Sequence, residues 1–236
     1  MTMQRIVLGT ILAGILALPL FVSAAQAAQY VVVEARGIGM KVGTIIDPTK
    51  PLVLQQGQHL TLVSDSGQTI KLDGPYQKAP VAEQGVQLAA AIGALATNSN
   101  GRLGEIGTTR GGTTAALPNA WLIDATRSGS VCLQQGKTPV LWRPAAAQAA
   151  DLVIMPSDRS WRAQADWPRG DDRLTVKSDM GLHAGASYFV ALNGNESAVT
   201  VRAVPDTLTT DQMRAAWMIQ KGCTAQAEAL IRSASK

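Results

Sequence analysis

Tyr188-Phe189-Val190-Ala191-Leu192-Asn193-Gly194-Asn195-Glu196-Ser197-Ala198-Val199-Thr200-Val201-Arg202-Ala203-Val204 is the stretch on which the fold turns. Two runs rich in aromatic and β-branched residues flank an Asn-Gly pair, and those two residue types accept the positive φ of a tight hairpin turn. Strand, turn, strand is the reading. The same grammar repeats upstream, with apolar runs at Ala120–Ala125, Val131–Leu133, Val140–Trp142, Leu152–Met155, Trp161–Ala165 and Leu174–Val176. Turn signals separate them: Ser128-Gly129, Gln135-Gly136, Arg169-Gly170-Asp171-Asp172 and Ala184-Gly185. Short strands at this spacing predict a sandwich of two antiparallel sheets over residues 119–205.

Working outward toward the N-terminus, residues 28–79 read as a separate small β-domain. Tyr30–Ala35, Val42–Ile46, Leu52–Leu54, His59–Ser64 and Thr69–Leu72 are its strand candidates, and Leu60 and Leu62 share one face of the fourth. Asp47-Pro48, Gln55-Gln56-Gly57, Asp65-Ser66-Gly67 and Asp73-Gly74-Pro75-Tyr76 punctuate them. An antiparallel meander or small barrel follows. Residues 80–118 break the pattern: Val81–Thr97 has helical spacing at Val86, Ala89, Ala90 and Gly93, and the glycines after Arg102 mark a linker.

Toward the C-terminus, residues 206–236 predict a helical pair. Thr209 with Gln212 three residues on has the form of a capping box. Met213, Ala216, Trp217 and Gln220 line one face, and Gly222 fits the stop position. Ala227, Leu230, Ile231 and Ala234 form the stripe of the second helix, and Cys223 falls at the corner between the two. The fold class is therefore mainly β, with a linking helix and a C-terminal helical pair.

The first 27 residues have another purpose. Arg5 precedes an uncharged apolar stretch from Ile6 to Val22, and Ala25-Gln26-Ala27 matches the small-residue pattern of signal peptidase. Cleavage is expected after Ala27, giving a periplasmic chain; an uncleaved segment would be its only attachment to a membrane. In that oxidising compartment Cys132 and Cys223, the two cysteines of the chain, are expected to pair. Closing a loop of about 90 residues contributes on the order of 4 kcal/mol.

Charge and composition narrow the partners. The formal net charge is +4 over 236 residues, and 46% of residues are hydrophobic against 16% charged. Removing Arg5 with the leader leaves about +3, spread without any Lys or Arg run. Such a surface predicts no nucleic-acid partner and leaves an envelope protein or polymer as the expected one.

Reactive constellations are hard to find. His59 and His183 are isolated histidines in the sequence, and the chain lacks G-x-S-x-G, H-E-x-x-H and P-loop motifs. Two distant cysteines and isolated histidines make a poor metal site, so no metal, cofactor or catalytic residue is assigned. Gly107–Thr114, with Arg110, could cradle an anion but reads better as a flexible loop. Asp171-Asp172 suits a turn, and Asp158, Asp166 and Asp179 are dispersed, so no glycosidase pair emerges. Of the five tryptophans, Trp142 suits a sandwich core; Trp161 and Trp167, flanking Arg162, form the candidate ligand face for carbohydrate or peptide stacking.

Two resemblances accompany this reading. Gly43–Pro75, with Leu52-Val53-Leu54-Gln55-Gln56-Gly57-Gln58-His59-Leu60-Thr61-Leu62-Val63 and Asp73-Gly74-Pro75, resembles bacterial periplasmic FecR-like β-domains. Pro139-Val140-Leu141-Trp142-Arg143 followed by Leu182-His183-Ala184-Gly185-Ala186-Ser187-Tyr188 resembles the rhythm of fibronectin-III-like and other Ig-like sandwiches. These resemblances imply an Ig-like sandwich behind a FecR-like domain and carry over no catalytic residue. FecR-like regulators carry a cytoplasmic segment before their membrane helix, and with five residues ahead of the apolar stretch a transmembrane signalling role is not expected. The expectation is an exported, non-enzymatic binding or assembly protein; a wall-polymer hydrolase and a carbohydrate-binding module are the alternatives.

Overall fold

The computed structural model describes residues 29–80, 115–177 and 180–234. The leader with its cleavage point after Ala27, the helix Val81–Thr97, the loop Gly107–Thr114 and Asp179 lie outside the described residues.

Six strands build the N-terminal unit: β1 (Tyr30–Arg36), β2 (Ile45–Ile46), β3 (Leu52–Leu54), β4 (His59–Ser64), β5 (Thr69–Asp73) and β6 (Tyr76–Lys78). An antiparallel sheet runs β2-β1-β4-β5, and β3 pairs antiparallel with β6. Alternation decides the packing. Val32, Leu60, Leu62, Ile70 and Leu72 meet Leu52 and Leu54 of the smaller sheet, while Val31, Val33 and Val63 point the other way. β6 is the strand that the apolar pattern does not announce, because Tyr76-Gln77-Lys78 is short and largely polar. It exists because the chain folds back at Gly74-Pro75, a cis peptide, and returns to β3. Only glycine fits at 74: a Cβ there would overlap the Gln55 carbonyl.

The sandwich has eight strands, one for each apolar run of the sequence. They are β7 (Leu122–Asp124), β8 (Gly129–Gln134), β9 (Val140–Trp142), β10 (Ala150–Pro156), β11 (Ala163–Trp167), β12 (Arg173–Thr175), β13 (Ser187–Leu192) and β14 (Asn195–Val204). One sheet runs β11-β10-β13-β14-β8 and the other β12-β9-β7. The β13–β14 hairpin closes on Asn193 and Gly194, both at positive φ (49° and 79°), with Leu192 opposite Asn195. Each sheet also holds one parallel pair, β14 with β8 and β7 with β9, joining strands far apart in sequence or linked by a crossover. Ile123, Leu141, Leu152, Ile154, Val190 and Val201 fill the space between the sheets.

Two helices complete the chain, α1 (Asp211–Gln220) and α2 (Thr224–Ala234). The helix start differs by one residue from the capping-box expectation. Thr210 is the N-cap, its Oγ1 accepting from the Met213 amide at 3.1 Å, and the same hydroxyl donates to the Asp65 carbonyl at 2.8 Å. That second bond ties α1 to the β4–β5 turn and favours 210 over 209. Gly222, at φ 80°, ends α1: the Cys223 amide reaches the Met218 carbonyl (2.8 Å) and the Gly222 amide reaches Ile219 (3.0 Å).

The helices are wedged between the two β-units. Met213, Ala216, Trp217 and Leu230 share one core with Val31, Val33 and Val63 on one side and Leu122, Cys132 and Val204 on the other. Contact on two sides explains why Ala215 and Met218 are buried beyond the single face that periodicity suggests. On α2 the stripe shifts for the same reason: Gln226 and Ala229 are buried while Ala234 is exposed. Trp142 is buried in this helix-facing core, because Leu141 takes the position between the sheets.

Gly74→Ala should destabilise the protein by about 3 kcal/mol, since backbone must move to admit the methyl group. Denaturant unfolding of the variant beside Gly39→Ala, whose position is open, checks this; equal losses in both would refute the packing argument.

Candidate functional site

The cysteine pair forms. Cys132 on β8 and Cys223 at the α1–α2 corner are joined by a disulfide with Cα atoms 5.9 Å apart, at a sequence separation of 91. Both are buried, at 0% and 2% exposure. Beside the sulfurs, Gln226 of α2 pairs with the β8 backbone as a neighbouring strand would. The Cys132 amide donates to Gln226 Oε1 (2.6 Å), and Gln226 Nε2 donates to the carbonyls of Cys132 (2.8 Å) and Ala120 (2.9 Å).

Trp161, Arg162 and Trp167 do not form a stacking face. Trp161 precedes β11 and is 37% exposed, its ring tilted against Tyr188 at 6.2 Å between centroids. Trp167 ends β11 on the same side as Ala163 and Ala165, the inward side, and is fully buried. Arg162 is exposed between them. What covers Trp167 is Arg143, itself 2% exposed, whose guanidinium lies 4.9 Å from the ring centroid. Arg143 Nε donates to the Asp171 carbonyl (3.0 Å) and Nη2 to the Pro168 carbonyl (2.7 Å), so the Asp171-Asp172 turn shapes a packing site. His183 stands in the loop before β13, where its backbone amide donates to the Tyr188 hydroxyl (2.9 Å).

The charged face of the N-terminal sheet offers more. β1 carries a bulge between Val32 and Glu34, where the register against β4 slips. Before it, Val31 and Val33 face the helices; after it, Ala35 packs toward the domain core, so Glu34 and Arg36 turn to the helix side. Two cross-strand rows result. Glu34 stands opposite Thr61, which stands opposite Lys71; Arg36 stands opposite His59, which stands opposite Asp73. His59 Nδ1 and Asp73 Oδ1 are 2.5 Å apart, and Arg36 reaches Glu34 at 2.6 Å. These side chains continue the surface on which α1 packs.

Lys221, the C-cap of α1, approaches this row from the helix, and Arg202 approaches from β14. The disulfide puts them together: Arg202 is the register partner of Cys132, and Lys221 lies two residues before Cys223. Lys221 is held below the ordinary lysine range, first by partial burial and then by Arg202 and Arg36, with Glu34 opposing. Lys221 thus lies within electrostatic reach of Arg202, Arg36 and Glu34, at the seam between the two β-units.

Sequence reasoning overlooked this constellation. Counting outward from the Asp65-Ser66-Gly67 turn would have placed His59 opposite Asp73, but the bulge and the approach of Lys221 to Arg202 depend on tertiary contacts. Among the described residues, no group of three or more His, Cys, Asp or Glu side chains is placed to hold a metal ion. No helix among them is long and apolar enough to cross a membrane. No family model and no curated protein matches the chain.

The depressed Lys221 has a pH consequence. The unfolded chain keeps the lysine proton to higher pH than the folded one, so stability rises as pH climbs through the folded pKa toward the ordinary lysine value. Lys221→Met keeps the apolar stem and removes the charge. Its Tm should equal or slightly exceed that of the native protein at pH 7, with any advantage fading in strongly alkaline buffer. A Tm several degrees lower at pH 7 would contradict this account of the seam.

Proposed function

We propose that the protein is exported to the periplasm, loses residues 1–27, and serves there as a non-enzymatic binding or assembly protein of the cell envelope. The observation that carries this reading is the buried Cys132–Cys223 disulfide, which closes the core shared by both β-units and the helices. A staple of this reach suits an oxidising compartment. The Ala25-Gln26-Ala27 pattern supports the same location from the sequence side. The binding role rests on the architecture: two β-units locked into one platform, with a charged seam and exposed loops between fixed strands.

Intact mass of the protein from its native envelope tests the first half. The expected mass is that of residues 28–236 less two hydrogens, with neither thiol alkylated until the denatured protein is reduced. A full-length chain with both thiols free would overturn export. For the second half, crosslinking in the native envelope should give a saturable adduct that excess purified protein displaces. Turnover of a wall polymer, lost on a single carboxylate substitution, would replace the binding reading with an enzymatic one.

A further inference from the structure

We infer that β11, the open edge of the five-stranded sheet, is the surface through which two copies of this chain pair, antiparallel and centred on Gln164. This goes beyond the envelope reading and does not depend on it.

The backbone decides which residues face the edge. β11 pairs with β10 alone, so among the described residues its far side carries unpaired amides and carbonyls. Asp151 of β10 is bonded toward β13: its carbonyl accepts from the Asn193 amide at 2.9 Å, and its amide donates to Asn193 Oδ1 at 2.8 Å. Directly opposed antiparallel residues either bond each other or both point away. Asp166, opposite Asp151, therefore aims its amide and carbonyl outward, and Gln164, opposite Val153, does the same by alternation. Arg162 precedes the strand in the same phase. The side chains of Gln164 and Asp166 stand exposed on the outer face, while Ala163, Ala165 and Trp167 pack into the sandwich.

This edge is complementary to itself. An antiparallel copy centred on Gln164 sets that glutamine opposite its own counterpart and sets Arg162 of each copy opposite Asp166 of the other. All three pairs are of the mutually bonded kind, giving about six backbone hydrogen bonds across a two-fold axis. Arg162 and Asp166 are both exposed, and neither makes an ion pair among the described residues, so each has its charge free for the other copy. On the inner side the small pair Ala163 and Ala165 meets without crowding. Trp161, exposed at 37%, falls opposite Trp167 of the second copy and gains apolar cover there. A strand of unrelated sequence would leave both charges unmatched, which favours a second copy as the occupant.

The other open edges are guarded. β2 has two residues and β12 three, and β5 carries an exposed Lys71 at its middle, the residue type that discourages edge pairing. β8 is covered by Gln226. β11 has no such protection.

Sedimentation equilibrium of the purified protein over a concentration series tests the inference, and a reversible monomer–dimer equilibrium is the expected result. Gln164→Pro removes an outward amide that bonds nothing within the chain, so it should abolish dimers while Tm stays within a few degrees. Arg162→Asp alone and Asp166→Arg alone should each weaken pairing by about tenfold or more, because like charges then face each other across the axis. Mixing those two single variants should restore a dimer containing one of each, and so should placing both changes in one chain. That rescue is specific to the Gln164-centred register and stands apart from any loss of folding. A native protein that stays monomeric throughout, a dimer indifferent to Gln164→Pro, or failure of the mixed variants to pair would overturn the proposal. A photocrosslinker at position 164 that joins the native chain only to a different envelope protein would likewise remove the second copy as occupant and assign the edge to that protein.

Discussion

Everything in this molecule is organised around one strand edge. β8 lies at the end of the five-stranded sheet, and its outer side would present unpaired amides and carbonyls to water or to another chain. α2 covers that edge chemically as well as sterically: Gln226 satisfies both polar groups of Cys132, and the disulfide holds the corner above it. A buried amide costs about 1–3 kcal/mol when left unpaired, so the glutamine and the strand depend on each other. The helices anchored here reach across to Val31, Val33 and Val63, which makes the N-terminal sheet part of the same core.

That arrangement also sets the polarity of the seam. The apolar half of the N-terminal sheet face is spent on α1. Past the bulge the same face becomes charged, because the slip in register turns Glu34 and Arg36 to the side that Val31 and Val33 occupy. Charge therefore begins where helix contact stops. Arg143 shows the opposite solution inside the sandwich, where a buried guanidinium rests on an indole face and carbonyl dipoles.

Much of the fold could be read from residue pattern, for identifiable reasons. Period-two alternation and Gly-containing turns announce eight sandwich strands, and Asn193-Gly194 fixes one hairpin register outright. Features set by non-local contact escape. β6 depends on the return to β3, the Thr210 cap on the distant Asp65 carbonyl, and the parallel pairing of β8 on a crossover that no local signal records. The candidate ligand face failed because the alternation along β11, counted from Ala163, points Trp167 inward. The seam failed to register because Glu34 and Lys221 are separated by 187 positions and come within electrostatic reach only through the fold.

The mimicry of a strand by one side chain has a consequence for biosynthesis. Gln226 follows Cys132 by 94 residues, so a growing chain completes the sandwich before its cover exists. During that interval β8 is an open template, able to recruit a strand from another copy. A premature stop ahead of α2 would make that interval permanent. Its product would be a folded sandwich with adhesive flanks, prone to assemble sideways into polymers instead of being lost as unfolded chain.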